Sequence, residues 1–387
     1  MFSLLLAITY LAFIGLGLPD SLLGAAWPVI HEEFGVALSL QGIVTMIIAG
    51  GTIVSSLMSD KLTRKFGAGV VTAVSVLLTA LAMIGFSFST EFWHLCALAV
   101  PYGLGAGAVD AALNNFAALH FSSRHMNWLH CFWGVGASVS PYIMGACLSG
   151  GIGWHWGYRI VGLVQVVLTA VLFFSLPLWK KSSSDQAQTA TLAKPSDKPL
   201  AVAGVWQTLV MFFAYCSAEA TAMNWSSSYL VTHRGVDANL AATFASLFFL
   251  GITFGRFVCG LFSEKLGNKR LIRIGVAVMA VAVVAIVLPL STNVVALCGL
   301  VLFGLGCAPV YPAVIHATPY RFGEGNSQAI VGFQMASAYV GTTFMPPLFG
   351  LIAKTSPIAF PLFLGGFVLL LVIMSEVVNK VVANRSV

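Results

Sequence analysis

From Ser56 to Lys65 the chain reads S-L-M-S-D-K-L-T-R-K, and from Gly260 to Lys269 it reads G-L-F-S-E-K-L-G-N-K. A shift of 204 residues lays Ser59, Asp60, Lys61 and Leu62 on Ser263, Glu264, Lys265 and Leu266. Each copy is a short charged island between long apolar runs, so the duplicated material is membrane-crossing. A second stretch repeats as well: Gly136 and Pro141 in V-G-A-S-V-S-P correspond to Gly341 and Pro346 in V-G-T-T-F-M-P.

The composition agrees with a lipid solvent. Hydrophobic residues make up 58% of the 387 and charged residues 8%, with a mean hydropathy of +0.92, whereas soluble domains carry roughly a quarter charged residues. A crossing helix needs roughly 20 mostly apolar residues. The runs place spans at 4–30, 38–58, 69–90, 93–119, 126–149, 156–178, 202–231, 239–262, 271–290, 294–317, 326–349 and 357–381. This predicts an all-α membrane protein of twelve transmembrane helices in two pseudo-symmetric six-helix bundles. Their limits are 1–179 and 202–387, joined by a polar cytoplasmic linker over 180–201. The first run lacks a basic leader and holds Pro19 and Asp20 where a cleavage site would fall, so it is expected to be retained as span 1.

Basic residues set the orientation, because cytoplasmic loops hold the excess. Loops after even-numbered spans carry Lys61, Arg64, Lys65, Arg124, Lys180, Lys181, Lys194, Lys198, Lys265, Lys269, Arg270, Arg273 and Arg321, against Arg159, Arg234 and Lys354 on the other side. Both termini are therefore expected in the cytoplasm of an inner-membrane, multi-pass protein, and the tail residues Lys380 and Arg385 agree. The net charge of +6 is spread over these loops in no continuous patch, which speaks for lipid headgroups and against nucleic acid. The seven cysteines sit almost wholly in apolar runs without metal-ligand spacing, and read as small core residues. With no phosphate loop, metal cluster or nucleophile–base motif, the sequence offers no enzyme, metal site or cofactor. His155 and His316 read as loop or interface residues.

The duplicated loop resembles the signature loop of the major facilitator superfamily, and span count, linker and repeat extend the resemblance over the whole chain. It implies a cytoplasmic gate in which Asp60, Lys61, Arg64, Glu264 and Lys265 latch the two halves. The first copy departs at Ser56 and Thr63, where the family has glycine; the second keeps Gly260 and Gly267. Arg256, near the cytoplasmic end of span 8, is read with this gate.

Acids inside spans are costly and mark function. Of thirteen, most are in loops, but Asp20, Asp110 and Glu219 stand inside apolar runs. Asp20 follows Gly15, Gly17 and Pro19, which loosen span 1 and free backbone groups that must find partners inside the protein. Asp110 shares a helical face with Gly103, Gly107 and Asn114. Glu219 mirrors Asp20 in the repeat, on a stripe with Tyr215, Ala222 and Ser226. A carboxyl group withdrawn from water favours its neutral form and can exchange a proton; the alternative is an acid permanently paired to a neighbouring span.

The span 4 and 5 segments G-L-G-A-G-A-V-D-A-A-L-N-N-F and M-N-W-L-H-C-F-W-G-V-G-A resemble the fucose–proton symporter branch of the superfamily. There, acids in helices 1 and 4 serve sugar binding and proton coupling; the matching positions are Asp20 and Asp110, and Asn114, Asn127 and His130 match its polar positions. Asp110 is shorter than that branch's glutamate and Asn115 replaces its proline. Sugars are held by amides, carboxylates and aromatic faces, so the candidate substrate residues are Asn114, Asn115, Asn127, His130, Trp133, Asn224, Trp225 and Gln334. Asn127 and His130 are alternatively gate residues.

The resulting expectation is a monomeric secondary transporter importing a monosaccharide or similar small polar solute with protons, with sodium as the other candidate ion. An exporter of amphipathic compounds driven by inward proton flow is the alternative. A receptor without turnover would want a sizeable soluble domain, which the sequence lacks.

Overall fold

A computed structural model describes residues 2–189, 196, 198–288, 290, 292–353 and 359–385. Thirteen α-helices form it: α1 (Phe2–Asp20), α2 (Leu22–Glu33), α3 (Gln41–Phe66), α4 (Ala68–Phe86), α5 (Phe92–His120), α6 (Ser123–Ser149), α7 (Trp154–Thr189), α8 (Val205–Arg234), α9 (Ala238–Val287), α10 (Val294–Cys307), α11 (Val310–Phe322), α12 (Glu324–Ile352) and α13 (Ala359–Ala383). Among the described residues, ten stretches are long and apolar enough to cross a membrane. Among these the 50-residue α9 holds two spans, because Gly267 at φ 72° breaks it. Helix α8, diluted by Ser217, Glu219, Asn224 and Ser226, falls outside the ten on hydropathy. Adding that span and dividing α9 gives the twelve the sequence predicts, with α1–α2 and α10–α11 each forming one broken span.

The chain divides into two compact units, Met1–Phe116 with Leu129–Lys194, and Ala117–Trp128 with Pro195–Val387. The segment Ala117–Trp128, from the end of α5 to the start of α6, clusters with the second unit. Of the expected linker over 180–201, residues up to Thr189 continue α7, and Pro199–Ala201 form a short 3-10 turn. Residues 190–195 and 197, Lys194 included, lie outside the described residues, as does Lys354.

Small residues set the packing within each unit, and they do so twice. A Cβ on Gly136 would lie 2.2 Å from the Ile14 carbonyl oxygen of α1, and one on Gly341 would lie 3.0 Å from the Phe213 carbonyl oxygen of α8. Likewise a Cβ on Gly103 would meet the Ile48 oxygen at 2.3 Å, and one on Gly304 the Phe248 oxygen at 2.3 Å. Helices in lipid associate through such close approaches, for lack of a hydrophobic driving force between them. Spans 1 and 5 therefore cross as spans 7 and 11 do, and spans 2 and 4 as spans 8 and 10.

The two charged copies end alike. Gly67 at φ 82° stops α3 after Arg64 and Lys65, whose charges complement the helix C-terminus. Gly267 plays the same part in α9. The departure at Thr63 has a physical reason: the first copy runs one helical turn further before its glycine. That extra turn brings Arg64 beside Asp60, 2.9 Å away.

Candidate functional site

The first unit gathers its polar residues around span 1. Proline 19 has no N–H, so the carbonyl four residues earlier, Gly15, loses its helical donor. Gln165 of α7, 1% exposed, donates its Nε2–H to that oxygen. The chain then breaks at Ser21, leaving Asp20 as the last residue of α1. Its carboxylate is exposed yet held: the Trp133 indole N–H donates to Oδ2 at 3.0 Å and the Tyr102 hydroxyl to Oδ1 at 3.4 Å. Trp133 reaches it because α1 and α6 touch backbone to backbone, a Cβ on Gly17 falling 2.1 Å from the Trp133 carbonyl oxygen.

Asp110 heads a second chain of bonds in the same unit. Asn114 donates from Nδ2 to the Asp110 carboxylate at 2.7 Å and to its main-chain oxygen at 3.0 Å. The Asn114 amide oxygen meets His130 Nε2 at 3.0 Å. An amide oxygen only accepts, so His130 carries its proton on Nε2. Asn114 and His130 are buried, and Phe13 of α1 lies edge-on to the imidazole at 5.2 Å. Gly103 and Gly107, predicted on this face, press α5 against α3, where Ser55 and Ser56 donate to their carbonyl oxygens. Asn115 is 5% exposed, and its Oδ1 has no hydrogen-bond partner among the described residues.

In the second unit Glu219 has a cation. Arg256, 3% exposed, places a guanidinium nitrogen 3.5 Å from its carboxylate. The sequence places Arg256 with the cytoplasmic gate; in the structure it lies beside Glu219. Tyr215, one turn before Glu219, donates its hydroxyl to the Cys307 carbonyl at 3.1 Å and faces the Tyr311 ring edge-on at 6.2 Å.

The remaining candidates are scattered through this unit. Gln334 is fully buried and accepts from Thr318 Oγ1 at 3.0 Å. Asn224 is exposed and bonds back to the Ala220 carbonyl. Trp225 spends its N–H on the Pro346 carbonyl at 2.9 Å and packs on Phe349. Asn127, 1% exposed, donates to the Ser123 carbonyl. His316, read from the sequence as a loop or interface residue, lies buried within α11, where it bonds to the Phe121 carbonyl at 3.1 Å and to Asn268.

Of the expected gate, the two acids find different partners. Asp60 pairs with Arg64 of its own helix. Glu264 takes Arg124, in the first turn of α6, at 3.0 Å and the hydroxyl of Ser122, in the turn before it, at 2.9 Å. Beside them Trp128 stacks on Phe257 and donates to its carbonyl. Lys61 and Lys265 are exposed. Tyr102, Gln165 and Tyr215 had no place in the sequence reading. A lone amide in the apolar run around Gln165 was the available signal for one of them.

The sequence profile of the Major Facilitator Superfamily matches residues 9–333 and 208–380. The chain belongs to that superfamily. An uncharacterized superfamily transporter of Yersinia pestis is 25% identical over 371 residues, covering 91% of this chain and 89% of its own. The glucose/mannose transporter GlcP of Bacillus subtilis is 20% identical over 324 residues, 79% of this chain and 77% of its own. The crystal structure of FucP in the outward conformation shares the fold with a TM-score of 0.81 at 13% identity, over 97% of this chain and 98% of that one. FucP is the fucose:proton symporter of E. coli. As a superfamily member with these relatives, the chain is a multi-pass membrane transporter of small molecules.

Proposed function

We propose that the chain is a proton-coupled symporter of a monosaccharide or similar small polar solute. It works by alternating access, with Asp20, Asp110 and Glu219 as its exchangeable acids. The observation that carries this reading is the first unit's pair of acids, each inside a span and each held by neutral donors. Tyr102 and Trp133 hold Asp20, and Asn114, fixed by His130, holds Asp110. A carboxyl group inside a span that bonds to neutral donors can take up and release a proton there. The amides and the exposed Asp20 carboxylate also suit hydroxyl groups, which both donate and accept. Likeness to FucP and to GlcP lends support from proteins whose names specify sugars. In this reading the protein is a monomer of the inner membrane with both termini in the cytoplasm, and the pairs of Asp60 and Glu264 belong to its cytoplasmic gate.

The test uses purified protein in proteoliposomes with fucose, glucose and mannose as probes. Wild type is expected to take up protons when sugar is added. Asp110→Asn is expected to abolish that uptake while sugar exchange survives, because the amide keeps the bond to Asn114 but carries no exchangeable proton. Proton-coupled accumulation by Asp110→Asn overturns the role of Asp110. Transport of lipophilic dyes with no response to any sugar overturns the symport reading in favour of an exporter.

A further inference from the structure

The first unit buries a hydroxyl that bonds to nothing. Tyr158 of α7 is 1% exposed, and its Oη has no hydrogen-bond partner among the described residues. The hydroxyls of Thr72, Ser140, Thr221 and Ser226 share that state, but a short side chain can rotate its hydroxyl onto the carbonyl one turn back in its own helix. A phenol reaches well past its own backbone and has no such recourse. Phenylalanine would fill the same space without stranding a polar atom, so the oxygen needs a partner in some state of the protein. Its surroundings say which. The Tyr158 ring packs edge-on to Phe86 at 5.4 Å, and Tyr102 lies against the same Phe86 at 6.5 Å. Both tyrosines belong to the apolar cluster that takes in Leu18 and Leu22 on either side of Asp20, and their hydroxyls lie within electrostatic reach of each other. Tyr102 in turn donates to Asp20 Oδ1. The titratable groups facing Asp20 are thus Tyr102 and Asp110 of α5, with Tyr158 of α7 behind Tyr102, while Trp133 of α6 is a neutral donor.

The two oxygens of Asp20 are not equivalent towards a proton. An indole N–H only donates, so Oδ2, which the Trp133 indole meets, must remain an acceptor. A phenol both donates and accepts, so Oδ1 can carry the proton if the Tyr102 hydroxyl turns round. Turning leaves the Tyr102 hydrogen in need of an acceptor. We propose that Tyr102 and Tyr158 form a hydroxyl switch that accommodates the proton on Asp20. With Asp20 ionised, Tyr102 donates to Oδ1 and the Tyr158 hydroxyl is idle. With Asp20 neutral, Oδ1–H donates to the Tyr102 oxygen, and the Tyr102 O–H donates to the Tyr158 oxygen. One proton is gained, no other bond to hydrogen breaks, and protonation draws α7 into a chain with α1 and α5. The repeat does not copy Tyr102: it precedes Gly103, whereas the matching Gly304 is preceded by Phe303, in the unit where Glu219 faces Arg256. This inference rests on Asp20 being an exchangeable acid, as read above, and names the groups that make room for its proton.

The test follows the Asp20 carboxyl directly, by infrared difference spectra of the full-length protein in proteoliposomes across a pH titration, with Asp20→Asn identifying the band of the protonated acid. Tyr158→Phe removes an acceptor used only in the neutral state. The midpoint of that band should therefore move to the acid side, by roughly three- to tenfold in proton concentration, as expected for one hydrogen bond. On the alkaline side of the titration its thermal midpoint should equal or exceed that of the wild type, because the lost hydroxyl was idle there. In a Tyr102→Phe background the same substitution should move the band no further, since the two hydroxyls act in series. Tyr158→Met, which also lacks the hydroxyl, repeats the measurement if the phenylalanine variant does not survive purification. An unmoved midpoint without the Tyr158 hydroxyl, or an equal shift with and without that of Tyr102, overturns the switch and leaves Tyr158 a packing residue. A protonated band that never appears in the wild type overturns both the switch and the exchange of a proton at Asp20. A shifted midpoint with no proton uptake on addition of fucose, glucose or mannose sustains the switch and overturns the symport reading.

Discussion

At Gly17 a single methyl group separates tolerance from disruption. Its Cβ would lie 2.1 Å from the Trp133 carbonyl oxygen and 2.8 Å from the Ala137 nitrogen, both backbone atoms of α6 that no rotamer change can move. Gly17→Ala must push α1 from α6, carrying the Trp133 indole off Asp20. The expected cost is about 1–3 kcal/mol of stability, as for other overpacked sites, with transport lost in the surviving fraction. Gly145→Ala on the same α6 meets nothing within 4 Å and should leave both melting temperature and transport unchanged; equal damage from the two would sink the argument from close approach. The glycines were visible in the sequence because spacing along one helix is local information. The partner of Glu219 was not. Arg256 lies on a different helix, and its meeting with Glu219 follows from how α9 packs on α8, which no spacing rule encodes.

The broken first span is the element on which the candidate site depends, and its break has two parts contributed by distant positions. Pro19 withdraws a donor from Gly15, and Gln165, 150 residues further on, supplies one. The sequence predicts the first part, including the freed backbone group; the second needs the packing of α1 against α7. Gln165→Leu should destabilise the protein by about 1–2 kcal/mol, the cost of leaving a buried carbonyl without a donor where interhelical bonds are modest. Pro19→Ala restores a main-chain N–H four residues after Gly15. In that background Gln165→Leu should cost much less, and a double-mutant cycle on thermal midpoints reads the difference directly. Additive costs would mean that Gln165 supports the bundle in some other way. The same cycle carries a functional readout. Pro19→Ala straightens the helix end at Asp20, so solute-driven proton uptake should fall even where stability is regained.

Over the whole chain, duplication was the most legible feature, since charged islands and glycines recur at nearly constant offsets and survive in the packing as matched pairs, Gly136 with Gly341 and Gly103 with Gly304. The limits of the units were less so: Ala117–Trp128 clusters with the second unit through Arg124, Trp128 and Phe121, whose partners Glu264, Phe257 and His316 lie more than a hundred residues away. Orientation rests on a different physical quantity, the asymmetry of lysine and arginine between alternate loops, and twelve crossings make that asymmetry consistent from one end to the other. Exposed positions on the two sides test it together. In a background with the seven native cysteines replaced, Glu91→Cys and Thr292→Cys, both in turns after odd-numbered spans and both exposed, should react in intact cells with a thiol reagent that cannot cross membranes. Lys65→Cys and Lys269→Cys, exposed after even-numbered spans, should react only once the cells are opened. Labelling of Lys269→Cys from outside with Lys65→Cys protected would require an odd number of crossings between them, which the break of α9 at Gly267 and the six spans of each unit do not allow. The inverse pattern at all four positions would keep the twelve spans and reverse the protein in the membrane.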